Sequence, residues 1–347
     1  MTTNRQWLLK QRPDAVPRED DFELAETPVP EPGDGQFVMR ASVLSVDPYM
    51  RGRMRDVKSY VPPVQIGEVM TGASVGAVIA SRHEKFKEGD IVEGRFGWQE
   101  YALSDGRDAG ARKVDASLAP ISTALGVLGM PGMTAYFGLL EVGEPKEGDT
   151  VVVSAASGAV GGLVGQIAKI KGCRAVGIAG GPKKCAYIKD ELGYDAAIDR
   201  RAAGDLTAMT AALGVAAPDG IDVYFDNVGG MTLDAVLTRI NIHARIAICG
   251  MISEYNQTEP ELAPRPTRAL LVQRARMQGL IVFDWVKRYP EGVAQMAAWI
   301  KEGRIKYRED VLEGIETMPK AMLRLFSGEN FGKQLVRAAP DPTPDPT

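Results

Sequence analysis

Thr150-Val151-Val152-Val153-Ser154-Ala155-Ala156-Ser157-Gly158-Ala159-Val160-Gly161-Gly162-Leu163-Val164-Gly165-Gln166-Ile167-Ala168-Lys169 runs from a β-branched segment through a turn of small residues into a stretch with apolar side chains at Val160, Leu163, Val164, Ile167 and Ala168. The first part reads as a buried strand and the last, by its three- and four-residue spacing, as an amphipathic helix. A pyrophosphate needs such a turn. Small residues let it approach the backbone, and the helix N-terminus offers unpaired N–H groups and a partial positive charge. The spacing is AxxGxxG, at Ala155, Gly158 and Gly161, with Ser157, Ala159 and Val160 completing the candidate contacts. Turns of this kind also arise for packing alone, so the reading depends on what surrounds it.

The next apolar strand ends in Gly177-Ile178-Ala179-Gly180-Gly181-Pro182-Lys183-Lys184. An acidic residue there would bind a ribose 2′-hydroxyl and repel a 2′-phosphate. None is present. Two glycines leave room and two lysines bring counter-charge, which points to NADPH over NADH. The competing reading has Lys183 and Lys184 as solvated residues that open a helix.

Further apolar runs at 174–179, 221–225 and 244–249 alternate with helical segments, the pattern of a parallel sheet covered on both faces. Upstream, short apolar runs at 7–9, 37–46, 75–80 and 99–103 lie between Gly and Pro clusters, which is β grammar. Thr27-Pro28-Val29-Pro30-Glu31-Pro32-Gly33 reads as a turn between two strands. Phe331-Gly332-Lys333-Gln334-Leu335-Val336 reads as a closing strand that returns to the first domain, and the proline-rich tail 338–347 as disordered. The expected class is α/β: a β-rich domain over 1–122, a doubly wound parallel-sheet domain over 123–304, and a return to the first domain over 305–337.

A formal net charge of -4, from 41 basic and 45 acidic residues without long runs, gives no footprint for nucleic acid or an anionic membrane. A small-molecule partner is expected. Cys173, Cys185 and Cys249 are odd in number and show no CxxC spacing, so they read as buried thiols of a reducing compartment. No long apolar stretch follows the N-terminus, and a cytoplasmic protein is expected.

Seven ordered segments resemble the zinc-independent medium-chain dehydrogenase/reductases, in the branch of prostaglandin, alkenal double-bond and curcumin reductases. They are Ser45-Val46-Asp47-Pro48-Tyr49-Met50-Arg51, Gly97-Trp98, Met130-Pro131-Gly132-Met133-Thr134-Ala135-Tyr136, Ser154-Ala155-Ala156-Ser157-Gly158-Ala159-Val160-Gly161, Phe225-Asp226-Asn227-Val228-Gly229-Gly230, Ile248-Cys249-Gly250-Met251-Ile252-Ser253-Glu254-Tyr255-Asn256 and Gly328-Glu329-Asn330-Phe331-Gly332-Lys333. The resemblance implies a GroES-like domain, a Rossmann domain and an active site in the cleft between them. By position, Lys184 looks like the 2′-phosphate ligand. Asn227 and Asn330 look like nicotinamide-side contacts, and the loop with Cys249, Gly250, Ile252, Ser253 and Tyr255 like the one that lies along the cofactor. Phe283 is a further cofactor candidate. Where relatives often carry Asn-Tyr-Lys, this chain has Asp199-Arg200-Arg201; Arg200 either adds a phosphate contact or faces solvent.

Zinc-dependent relatives hold metal with Cys and His, and neither ligand set can be assembled from two histidines, His83 and His243, and three scattered cysteines. Without a Lewis acid, conjugate reduction of an activated C=C is better supported than alcohol–ketone chemistry. That reaction places charge on a carbonyl oxygen and needs a donor beside it. Tyr255 is the candidate, against the alternative that it only packs. Tyr49, Trp98 and Met130 are candidate substrate walls together with Tyr255. Met50, Phe283 and Trp285 are further candidates, and for these three and Met130 a core role fits at least as well. Asp284 stands where relatives can carry a basic residue, which speaks against selectivity for acidic substrates. A homodimer is expected, because Gly279-Leu280-Ile281-Val282-Phe283 reads as an apolar edge strand where relatives pair across a two-fold axis. A quinone reductase and an NADPH-binding regulatory protein with little turnover remain alternatives.

Overall fold

The computed structural model describes residues 3–107, 109–259 and 261–343. Contacts divide the chain into two units, one holding residues up to Gly126 and from Glu309 onward, the other Val127–Arg308.

The second unit is built on six parallel strands. From edge to edge they are Ala196–Asp199, Arg174–Ala179, Thr150–Val153, Ile221–Asp226, Ile240–Ile248 and Arg276–Gly279, the order 3-2-1-4-5-6 of a Rossmann sheet. All four residues of Thr150–Val153 are buried, as are five of six in Arg174–Ala179, which requires cover on both faces. Helices Gly161–Ile170, Pro182–Asp190, Leu206–Ala216, Gly230–Leu237 and Thr267–Gln273 lie in the crossovers. The strand order reverses between Thr150–Val153 and Ile221–Asp226, and such a switch point opens a crevice at the carboxyl ends of the strands.

In the first unit the strand Phe37–Ser45 is the organising element of a seven-stranded sheet. It pairs antiparallel with Ser74–Ser81, Tyr101–Ser104 and Lys333–Arg337. Its side chains Phe37, Met39 and Leu44 join Met50 and Trp98 in a fully buried core. The chain returns to this unit at its C-terminal end, where Lys333–Arg337 lies between Phe37–Ser45 and the parallel strand Glu309–Glu313.

Four local expectations need correction. Of the run 279–283 only Gly279 belongs to a strand. Pairing with Ile240–Ile248 covers Arg276–Gly279 and ends as Leu280 N–H donates to Ile248 O, and the chain then coils into a 3-10 helix, Val282–Arg288. Leu280 and Val282 are buried from this bend. Of the cysteines, Cys173 is buried but Cys185 and Cys249 are only half-buried. The tail is anchored at its start, where Ala338 and Ala339 both donate to Ser42 O; residues 344–347 lie outside the described residues. The proline-rich turn begins later than expected, because Thr27 and Pro28 still pair with Thr3–Leu9 in a two-stranded ribbon whose open edge tolerates a proline.

Candidate active site

At the switch point the strand Thr150–Val153 ends in Ser154, and Ala155 follows with φ 49°, in the left-handed region. That conformation folds the turn back on itself, so that Gly158 N–H donates to Ala155 O and Ala156 N–H to Ile178 O. A β-carbon on Gly161 would stand 2.4 Å from Ala155 O, closer than atoms can approach, so the turn requires glycine where the helix Gly161–Ile170 begins. Ser157 is buried, while Gly158, Ala159 and Val160 are half-buried beside the helix N-terminus. Backbone donors and a vacant side-chain position make a cradle that fits a pyrophosphate.

The next strand delivers the neighbouring group. Asn227 follows Ile221–Asp226; its N–H donates to Ser154 Oγ and its side-chain amide to Ser154 O, both at 2.8 Å. The loop after Ile240–Ile248 lies along this turn. Cys249 and Gly250 N–H donate to Asp226 O, Ile252 N–H to Asn227 O and Ser253 N–H to Val228 O, while Ser253 Oγ donates to Val228 O at 2.6 Å. The loop then brings Tyr255 back over Gly250. A β-carbon on Gly250 would lie 3.2 Å from the Tyr255 hydroxyl and 3.5 Å from Asn227 O, and that hydroxyl accepts from Met251 N–H at 3.3 Å. Asn227, Cys249, Gly250, Ile252, Ser253 and Tyr255, separate in sequence, therefore form one cluster. Burial and the nearby Asp226 push the Cys249 thiol up to about 12, so it is a protonated packing group at neutral pH and no nucleophile.

On the far side of the cradle, Lys184 is half-buried on the helix Pro182–Asp190 and Lys183 is exposed. Arg200 is exposed, with its N–H bound to Ala179 O. Arg201 was not singled out from the sequence, yet its guanidinium reaches over the two glycines: β-carbons on Gly180 and Gly181 would stand 3.6 and 3.8 Å from its Nε and Nη1. Asp199 is occupied with backbone, accepting from Gly181 and Arg201 N–H.

The remaining candidates separate by unit. In the first, Tyr49 is partly buried against the core, and its phenol is held well above its ordinary value by burial and by the charge of Asp47. Trp98 is 0 % exposed, stacked on Phe22 at 5.4 Å, with Nε1 unpartnered among the described residues. The indole is thus a core side chain. Asn330 donates to Gly332 O at 3.2 Å within its own loop. In the second unit Met130 opens the helix Met130–Phe137 half-buried, Phe283 is 43 % exposed, and Trp285 stacks on Phe137 at 5.9 Å. Met50 is fully buried core and Asp284 is exposed. Among the described residues no three His, Cys, Asp or Glu side chains come together as a metal site, and no helix is long and apolar enough to cross a membrane.

A Rossmann sheet with a small-residue cradle at its switch point, together with a GroES-like β unit completed by the returning C-terminal strand, defines a medium-chain dehydrogenase/reductase. Residues 5–112 match the family described as N-terminal domain of oxidoreductase, and residues 159–300 the zinc-binding dehydrogenase family. The chain belongs to the medium-chain dehydrogenase/reductases, in the branch of curcumin, alkenal and prostaglandin reductases. It is 47 % identical to the NADPH-dependent curcumin reductase of Escherichia coli over 97 % of this chain and 98 % of that protein. It is 44 % identical to the NADP-dependent 2-alkenal reductase of Nicotiana tabacum, over 96 % and 97 %. The crystal structure of CurA from Vibrio vulnificus in complex with NADPH superimposes with a TM-score of 0.91 at 47 % identity, over 97 % and 99 % of the two chains.

Proposed function

We propose that this chain is an NADPH-dependent reductase of the C=C bond in α,β-unsaturated aldehydes and ketones, working without a metal. NADPH, when bound, supplies the hydride for the β-carbon. The residues that fit it are the cradle Ala155, Ser157, Gly158, Ala159, Val160 and Gly161 for the pyrophosphate, Lys184 with Arg200 and Arg201 for the 2′-phosphate, and Asn227 and Asn330 for the nicotinamide side, flanked by Cys249, Gly250, Ile252, Ser253 and Phe283. The observation that carries the reading is the meeting of the Tyr255 hydroxyl, Gly250 and Asn227 at the switch point. A hydroxyl there stabilises the charge that develops on the substrate carbonyl oxygen. Tyr49 and Met130, with Tyr255, are the substrate-side residues. Trp98, also a substrate-side candidate, is fully buried in the core of the first unit.

The test follows NADPH consumption against a panel of 2-alkenals, enones and quinones. Turnover with the first two classes is expected, and silence across the panel would leave a binding protein in place of the enzyme. In the same assay NADPH should bind more tightly than NADH, and Lys184→Ala should remove most of the preference. A charge-assisted phosphate contact is worth about 1.5–3 kcal/mol, roughly 10- to 150-fold in affinity. Equal affinity of the unmodified protein for both cofactors would sink the phosphate assignment.

We further propose a homodimer in the cytoplasm. The free edge of Arg276–Gly279 and the exposed Leu271 and Val272 on the adjacent helix Thr267–Gln273, at 78 % and 55 %, support pairing with a second copy. Three free thiols suit a reducing compartment. Light scattering should return twice the mass of one chain, and a single-chain mass at micromolar concentration would refute the dimer. Cell fractionation that found the protein outside the soluble cytosolic fraction would refute the location.

A further inference from the structure

The centre of the candidate site holds a carboxyl group to which no role has yet been given. Asp226 is 0 % exposed at the end of the strand Ile221–Asp226. Four donors converge on its Oδ1: Tyr224 OH at 2.8 Å, Val228 N–H at 2.9 Å, Gly229 N–H at 3.0 Å and Ser154 Oγ at 3.0 Å. Its Oδ2 is equally buried and has no partner among the described residues. A buried carboxyl oxygen without a protein partner costs free energy, so its presence at this place calls for a role beyond packing.

What depends on it is the arrangement of three strand ends. Ser154, which donates to Asp226, accepts from Asn227 N–H and thereby ties the start of the cradle to the candidate nicotinamide turn. Val228 and Gly229 hold the same turn to the carboxyl group, at a place where Gly229 and Gly230 have φ of 71° and 52° and the backbone would otherwise be free to rearrange. The backbone oxygen of Asp226 receives Cys249 and Gly250 N–H, which fixes the loop that carries Tyr255. We infer that Asp226 is a positioning residue for the nicotinamide half of the cofactor site: through Oδ1 and its carbonyl it sets Asn227, Gly250 and Tyr255 relative to the cradle without touching cofactor or substrate. This inference rests on the proposed reading of Asn227 as a nicotinamide-side contact.

Two ligands separate this role from a general structural one. NADPH uses both halves of the site, whereas adenosine 2′,5′-bisphosphate carries no nicotinamide. Asp226→Asn keeps the shape but replaces the acceptor by a weaker one and places a buried N–H₂ beside it. Its NADPH dissociation constant should rise about tenfold, with loss of the NADPH fluorescence enhancement, while that of adenosine 2′,5′-bisphosphate changes by less than about twofold. Ser154→Ala is the milder second variant, since it removes one donor and Asn227's acceptor, and the same selective signature is expected if Asp226→Asn fails to fold. Equal weakening of both ligands, or unchanged NADPH binding in both variants, would overturn the positioning role. Asn227→Ala is measured alongside. If it weakens NADPH while Asp226→Asn and Ser154→Ala do not, the positioning role alone falls; if it leaves NADPH affinity and turnover unchanged, the nicotinamide reading falls and takes this inference with it.

Discussion

Lys333→Met is expected to destabilise the first unit by about 3–5 kcal/mol, the usual result of removing one partner from a buried ion pair. Lys333 and Asp47 are 4 % and 8 % exposed at the side chain and 2.7 Å apart, and the ammonium also donates to Val46 O at 2.9 Å. Ser45 Oγ donates to the other carboxyl oxygen. Lys333 opens the strand Lys333–Arg337, and Asp47 lies two residues past the end of the antiparallel strand Phe37–Ser45, where Leu335 is opposite Ser45, so the pair joins the returning C-terminal strand to the segment that leads into Tyr49. Methionine keeps the aliphatic volume and deletes the charge, which leaves the Asp47 carboxylate in an apolar interior without its counter-ion. For a unit of this size each kcal/mol moves the midpoint by about 2–4 °C, so a fall of roughly 6–20 °C is expected in a thermal melt. Asp47→Asn added to Lys333→Met removes the stranded charge and should recover more than half of the loss. A fall in the single variant of less than about 1 kcal/mol, the value of an exposed pair, would show that water reaches this site.

Which features the sequence disclosed depended on whether they were local. The run Thr150–Val153, the small-residue turn and the following helix are consecutive, so strand, turn and helix are all legible in one stretch. The edge strand was not. Arg276-Met277-Gln278-Gly279 is polar because one side of it is open, whereas the apolar Leu280 and Val282 just beyond it are buried at a bend, and a short apolar run does not distinguish strand from helix. Tyr255 and Asn227 were found through resemblance, but their meeting at Gly250 depends on strands being neighbours in the sheet. Asp226 was passed over for the same reason: Ser154, its partner, is 72 residues away, and only the pairing of the two central strands brings them together. Arg201 could have been found, since it follows the unusual Asp199-Arg200 at a strand end, but which arginine turns toward Gly180 is decided by backbone direction. Trp98 shows how a matching segment is silent on depth. Its position in Gly97-Trp98 suggests a substrate-side aromatic, and only the packing shows that the ring is fully buried and stacked on Phe22.

Tyr255→Phe keeps the ring that covers Gly250 and deletes only the hydroxyl, so it isolates the chemical contribution from the packing one. The hydroxyl accepts from Met251 N–H at 3.3 Å, a bond that engages its oxygen and not its proton. In conjugate reduction the carbonyl oxygen gains charge as hydride reaches the β-carbon, and a donor placed for that charge lowers the barrier more than it strengthens ground-state binding. NADPH affinity should therefore change little, while turnover with an enone should fall by about 10- to 1000-fold. The lower end is expected for strongly activated alkenals, whose barrier needs less electrophilic help, and the upper end for less activated enones, so the loss should grow as the acceptor weakens. Water can supply the final proton to the α-carbon in either case, so a solvent-derived proton in the product is compatible with the role. Turnover that is unchanged across the whole acceptor series would reduce Tyr255 to a packing residue over Gly250 and would leave the stabilising donor to be sought elsewhere in the site.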